Sequence, residues 1–159
     1  EMRAKTQIHM IREYRQPLIC LTLNIPGPVK VFDGIPGTFF IGCTRIEELL
    51  AQQNIRITNE FMIREHTGYE AFYSVDSDAD TIKKWMITID DHDRLGRLFD
   101  IDVLRTDGTK VSLEDLGYPA RSCLLCDEAA HNCSRSRRHS VEDLLAFIET
   151  LVEKNCQEG

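Results

Sequence analysis

The sequence predicts an α+β fold with a ferredoxin-like core, on three observations. Apolar residues recur at helical spacing in some stretches and alternate in others. Through the middle of the chain these stretches run strand, helix, strand, strand, helix, strand, which is the split β-α-β-β-α-β order. Turn-forming residues punctuate the junctions. An N-terminal helix precedes this core, which covers about residues 17–112, and a Cys-rich helical appendage follows over 119–156. With 159 residues and 18.3 kDa, the whole chain 1–159 is expected to form a single domain.

Residues 1–14 read as a polar helix stopped by Pro17. Residues 18–25 are a strand-like apolar run closed by the rigid Pro26-Gly27-Pro28 turn. Over 38–53, Phe39, Cys43, Ile46 and Leu50 mark one face of a helix. Residues 55–65 and 69–75 lean to β-structure and flank His66-Thr67-Gly68, a hairpin pattern. After several possible caps in 76–80, Ile82, Trp85, Met86 and Ile89 mark a second helix. Residues 98–105 alternate, and 106–109 turn them into a short strand around Val111. Val141, Leu144, Leu145, Ile148 and Leu151 mark a last helix with Ser140 as its cap.

An apolar fraction of 42% with 28% charged residues is the balance of a soluble globular chain, not of a disordered or collagenous one. The longest apolar runs, such as Leu18–Leu23, fall far short of the roughly 20 residues a membrane span needs. No basic-then-apolar leader opens the chain, and residue 1 is Glu, so a trimmed or processed N-terminus is expected. The net charge of −7 opposes long-range attraction to nucleic acid. Locally the sign reverses: four arginines (121, 135, 137 and 138) face only Asp127 and Glu128, leaving 121–139 at +2. An anionic ligand finds its best landing there.

Of the six cysteines, Cys123, Cys126 and Cys133 fall within eleven residues and are followed by His139. A secreted framework spreads its cysteines, so this clustering points to a reducing compartment, the cytoplasm. Two cysteines separated by two residues can grip one zinc ion, and the third Cys with the His completes a tetrahedral set. Four protein ligands leave no open position, which makes the role structural. His131 is the substitute ligand if His139 points away. The bland reading is a trio of reduced thiols beside a solvated His.

Asp100-Ile101-Asp102 is the sharpest local signal. Strand side chains alternate, so the two carboxylates project together, about 7 Å apart along the strand. Such a pair can hold a divalent cation that neutralises phosphate charge. A solvated edge strand is the competing explanation, although Asp is disfavoured in strands. Arg94 and Arg97 just precede the pair and can meet phosphate oxygens. Lys30 leaves the stiff turn at a strand end, and Arg3 and Gln7 share a helix face. No Ser-His-Asp order or Walker-type loop stands out, although Gly34-Ile35-Pro36-Gly37 is Gly-rich.

The run Leu95-Gly96-Arg97-Leu98-Phe99-Asp100-Ile101-Asp102-Val103-Leu104, then Pro119-Ala120-Arg121-Ser122-Cys123-Leu124-Leu125-Cys126, Cys133 and His139, closely resembles the apo-citrate lyase phosphoribosyl-dephospho-CoA transferases. Arg3 with Gln7, Pro26-Gly27-Pro28 with Lys30, and Gly42 are similar to that family's N-terminal half. The resemblance implies an enzyme of the nucleotidyltransferase type. The family moves 2′-(5″-phosphoribosyl)-3′-dephospho-CoA from its triphosphate precursor to a serine of the citrate lyase acyl carrier (gamma) subunit, releasing diphosphate. It also implies Mg²⁺ at Asp100 and Asp102, with Arg97 beside them, and Arg3, Gln7, Lys30 and Arg121 as donor-binding residues. Zinc at Cys123, Cys126, Cys133 and His139 comes from the spacing itself. The partners implied are the carrier subunit and the donor, with no nucleic acid and no membrane. Two alternatives stand beside this reading. One is a non-catalytic zinc-bearing module whose Arg135, Arg137 and Arg138 dock an acidic carrier protein. The other is the equivalent modifier of the malonate decarboxylase carrier.

Overall fold

Proline sets the length of the first two elements, because it lacks the N–H that would continue either. Helix α1 spans Met2–Tyr14 and strand β1 spans Leu18–Leu23. Pro17 separates them and Pro26 lies just beyond β1. The computed structural model describes residues 2–126 and 128–158. Glu1 at the expected start of the first helix, Asp127 of the basic segment and the side chain of Cys156 lie outside the described residues.

Helix α2, Ile35–Gln52, begins three residues earlier than the periodicity implies. Pro36 suits a first helical turn, whose N–H groups have no intrahelical partner. Gly34 supplies the turn into it with φ of 89°. The Gly-rich stretch at 34–37 is therefore a helix start. At the other end Asn54 takes φ of 57°, and Ile55 N–H donates to Leu50 O at 2.9 Å. That bond closes the helix as a left-handed C-terminal cap does.

Strands β2, Arg56–Glu65, and β3, Gly68–Asp76, form the expected hairpin, with a bulge between Ile57 and Asn59. Helix α3, Ala79–Asp90, is capped by Asp78, whose carboxylate accepts from Thr81 N–H at 3.1 Å. A 3₁₀ turn, Leu95–Leu98, leads into β4, Phe99–Leu104. The short strand expected around Val111 reduces to an isolated bridge between Leu104 and Lys110 and a bond from Val111 N–H to Val103 O. Helix α4, Ala130–Ser136, and helix α5, Val141–Glu158, complete the described chain. Ser140 Oγ accepts from Asp143 N–H at 3.0 Å, so the expected cap of α5 is in place.

The strands form one antiparallel sheet in the order β2-β3-β1-β4. Alternation sorts its two faces. Ile19, Leu21, Tyr73, Val75, Phe99, Ile101 and Val103 point into the main core, with Phe39, Ile46 and Leu50 of α2 and Ile82 and Met86 of α3. Ile148 and Val152 of α5 join that same core. Gly42 lets α2 lie close against the sheet: a Cβ there would stand 3.0 Å from the Phe99 ring and 3.1 Å from Leu21. On the opposite face Leu18, Cys20, Phe72 and Leu104 pack against Met10 and Ile11 of α1. The fold is thus mixed α/β, with helices on both sides of the sheet. Among the described residues, no helix is long and apolar enough to cross a membrane.

Candidate functional site

Sheet register decides what shares the α1 face with Cys20. On β4, Asp102 lies opposite Cys20 and Asp100 opposite Thr22. On β3, Glu70 precedes Ala71, the partner of Leu21, and so falls on the same face by alternation. Helix α1 runs back over these rows. Gln7 Nε2 reaches Cys20 Sγ at 3.5 Å, and one turn earlier Arg3 Nη2 reaches Asp102 Oδ2 at 3.4 Å. Arg3 Nε also stands 3.8 Å from Glu70 Oε1. Lys110 brings a second cation to Asp102, at 3.4 Å from Oδ1.

Beyond Arg3 the face opens into a cavity of about 260 Å³ lined by Thr22, Lys30, Tyr69, Glu70 and Asp100 as well as Arg3. Lys30 leaves the Pro26-Gly27-Pro28 turn, and its Nζ donates to Ile25 O. Three of the residues singled out in the sequence, Arg3, Lys30 and Asp100, therefore line one cavity, with Asp102 held to Arg3 and Gln7 of α1 turned to Cys20. Cations and carboxylates mixed at one opening are suited to a charged ligand bearing phosphates and an associated cation.

Arg97 and Arg121 lie elsewhere, at the start of β4. Arg121 Nη2 donates to the carbonyls of Arg97 and Phe99, at 2.5 and 2.6 Å. Arg97 Nη1 donates to Cys123 O at 3.1 Å, and Arg94 Nη1 to Leu124 O at 2.9 Å. The three guanidinium groups tie the cysteine segment to the sheet. Behind them Asp90 is held 3.8 Å from Arg121. Burial pushes the Asp90 carboxyl up to about 7, against the pull of Arg121 and Lys83. Lys83 is itself buried, donating to Ile101 O at 2.8 Å. Burial lowers its pKa despite nearby Asp90 and Asp102.

The cysteine segment builds a compact knot. A bridge between Ser122 and Ala129 and a bond from Cys123 N–H to Glu128 O fold the first cysteine pair into a narrow loop. Helix α4 then presents Cys133, and Arg137, with φ of 53°, turns the chain so that His139 comes back. One ligand atom from each of Cys123, Cys126, Cys133 and His139 lies within 4.8 Å of the others. Burial and the thiols of Cys126 and Cys123 push Cys133 up to about 12. Cys123 moves the other way: burial opposes the shift, and the N–H groups of Leu125 and Cys126 and the neighbouring thiols overcome it.

His139 Nε2 is buried and has no hydrogen-bond partner among the described residues. Three thiols, one imidazole and an orphaned ring nitrogen match a four-coordinate zinc ion, which would satisfy that nitrogen or fix the tautomer that leaves it bare. His131, the alternative ligand, is exposed on α4. Among the described residues, Asp100 and Asp102 join no third side chain in a comparable metal-binding group.

Glu70, Lys110, Lys83 and Asp90 do not stand out in the sequence, although Arg121, which Asp90 meets, does. Glu70 alternates with Tyr69 and Ala71 along a strand, a pattern legible in the sequence. The others are brought to their partners only by the packing of distant elements.

Comparison with known proteins agrees with the resemblance. The family model described as apo-citrate lyase phosphoribosyl-dephospho-CoA transferase matches residues 1–155. The protein named probable apo-citrate lyase phosphoribosyl-dephospho-CoA transferase of Vibrio cholerae is 38% identical over 153 residues, 96% of this chain and 86% of that protein. The apo-citrate lyase phosphoribosyl-dephospho-CoA transferase of Escherichia coli is 34% identical over 142 residues, 89% of this chain and 78% of that one. Protein CitXG of Haemophilus influenzae is 32% identical over 155 residues, which are 98% of this chain but 33% of that protein.

Proposed function

We propose that this chain, which belongs to the apo-citrate lyase phosphoribosyl-dephospho-CoA transferase family, is an enzyme that transfers the phosphoribosyl-dephospho-CoA group onto apo-citrate lyase. The family match over 1–155 is the observation that carries this reading. It favours the transferase over a non-catalytic zinc module and over a modifier of the malonate decarboxylase carrier. The acceptor is a serine of the acyl carrier subunit and the donor is the triphosphate precursor. The serine oxygen bonds to the α-phosphorus, the α–β bridging P–O bond breaks, and diphosphate and a proton leave.

The chain's own residues then have defined tasks. Arg3 and Lys30 receive the triphosphate in the cavity on the α1 face, and Gln7 supports α1 through Cys20. Asp100 and Asp102 would hold Mg²⁺ together with phosphate oxygens, and the ion would supply neutralisation of phosphate charge. Arg97 and Arg121 act as positioning residues that hold the cysteine segment against β4. Zinc at Cys123, Cys126, Cys133 and His139 is structural. The strand order β2-β3-β1-β4, with α2 and α3 as crossovers, supports a ferredoxin-like core within a single domain covering 1–159. The clustered free thiols favour a cytoplasmic location.

The test is the intact mass of apo acyl carrier subunit after incubation with this protein, Mg²⁺ and the triphosphate donor. A gain equal to one phosphoribosyl-dephospho-CoA group is expected, and the gain disappears with Asp100→Ala. An unmodified carrier, with donor and carrier both verified, overturns the reading.

A further inference from the structure

The donor is larger than the cavity that receives its triphosphate. Drug-sized ligands fill pockets of about 300–1,000 Å³, whereas the Arg3–Lys30 cavity holds about 260 Å³. The rest of the donor needs a second space, and the molecule has one alongside. A cavity of about 520 Å³ shares Asn24 with the first. It lies between Pro26 of the β1–α2 turn and the first turns of α5, where Val141 and Leu144 face it. Leu124 of the cysteine loop adds another apolar side and Arg137 a cation, while Cys123, Cys133 and His139 also line the cavity, so the part of its volume beside them belongs to the Cys/His knot. Gly27, with φ of 81°, makes the turn beside α5, its Cβ position lying at ordinary contact distance, 3.4 Å, from Val141 Cγ1.

We infer that this second cavity seats the adenosine 5′-diphosphate portion of the donor, so that the bound donor crosses Asn24 from one cavity to the other. The inference rests on the transferase reading above. In the donor, the triphosphoribosyl branch leaves adenosine at its 2′-oxygen, only one ribose from the reacting phosphate. The purine nucleoside, not the distant pantetheine arm, must therefore occupy the space next to the triphosphate. A purine buries two apolar faces, which Leu124, Val141 and Leu144 can cover. The 5′-diphosphate carries the negative charge that Arg137 can meet. The Cys/His knot thereby gains a part in recognition, because it carries Leu124 and sets the turn that presents Arg137.

The experiment measures binding of 3′-dephospho-CoA, which lacks the triphosphoribosyl branch, by calorimetry on the zinc-replete full chain. Val141 is 48% exposed, so Val141→Trp fills the cavity mouth without touching the core. It is expected to weaken binding by about tenfold or more. Arg137 has φ of 53°, a conformation glycine adopts freely, so Arg137→Gly removes the charge without strain and is expected to weaken binding about fivefold. Lys30→Ala, in the other cavity, is expected to change it by less than about twofold. ADP should displace dephospho-CoA, and phosphopantetheine should not.

The inference is overturned if the unaltered chain does not bind dephospho-CoA, if both cavity variants bind it normally, or if phosphopantetheine competes while ADP does not. Circular dichroism and zinc content identify a misfolded variant, and Arg137→Gly then decides alone. The two readings fail separately. An unmodified carrier refutes the transferase, whereas normal transfer by Val141→Trp at an unchanged donor KM refutes only the nucleotide cavity.

Discussion

Arg3 and Asp102, 99 positions apart in the chain, meet on the α1 face of the sheet with Nη2 3.4 Å from Oδ2. Arg3 is about one-third exposed, so the pair contributes at most about 1 kcal/mol to stability. Its charge at the cavity matters more to a phosphate ligand. Arg3→Ala is expected to raise the donor KM about tenfold while lowering stability by less than about 1 kcal/mol. Steady-state kinetics and urea denaturation separate the two effects. A large stability loss with unchanged KM makes Arg3 a strut.

Asp100 lies opposite Thr22 and lines the same cavity. Replacing its charge while keeping its shape isolates the proposed part in holding a cation. Asp100→Asn is expected to lower kcat by about 100-fold or more, with a higher Mg²⁺ concentration needed for half-maximal rate. Normal turnover at low Mg²⁺ sinks the metal assignment at this strand.

The four side chains of the Cys/His knot sit within 4.8 Å of one another, and His139 Nε2 has no partner among the described residues. Purified protein is expected to carry zinc in equal molar amount. His139→Gln or Cys126→Ser should weaken zinc binding by about 100-fold or more, beyond the cost of losing an outer-shell partner. Chelation should lower the Tm and expose the amides of the cysteine loop to hydrogen exchange. Metal analysis of the protein and its variants checks the first two, and melting curves with hydrogen exchange check the third.

Gly96 sits where the 3₁₀ turn passes the end of α3. A Cβ built there falls 2.2 Å from Ile89 O and 2.7 Å from Asp90 O, both backbone atoms. Neither can swing aside as a side chain could. Gly96→Ala is therefore expected to cost about 3 kcal/mol or more, or to prevent folding. Gly108, with no heavy atom within 4 Å of its Cβ position but φ of 88°, should lose only about 1–2 kcal/mol on the same change. Urea midpoints compare the two.

Asp90 gives stability a pH dependence whose sign is set by burial. Its pKa rises from 3.8 to about 7 on folding, so the folded protein binds the proton more tightly than the unfolded chain. The favourable contribution is complete below the unfolded pKa and is lost as pH climbs through about 7. Between pH 5 and 8.5 the protein should lose about 3 kcal/mol relative to Asp90→Asn. Urea denaturation of both proteins across that range is the check, and parallel curves refute the assignment.

Much of this molecule is a local property of its chain. Prolines at 17 and 26 bound α1 and β1, alternation marks β4, and the Cys123–His139 spacing puts four ligands within one short segment. Helix α4 is not legible in the sequence, because Ala130–Ser136 is mostly polar, has no side-chain cap and carries no apolar period. The early start of α2 was hidden by Gly34 and Gly37, which resemble a loop until Pro36 is seen in a helical first turn.

The order of the core elements, the joint projection of Asp100 and Asp102, the composition of the Cys/His knot and the family are all legible along the chain. These depend on neighbours within a few residues or on motifs kept whole in the chain. That Arg3, Lys30, Glu70 and Asp100 line one cavity, while Arg97 and Arg121 hold the cysteine segment to the sheet, follows from the packing of distant elements. Strand order and the path of α1 set those distances. Both arise from how entire apolar faces are buried together, a global condition that no local spacing encodes.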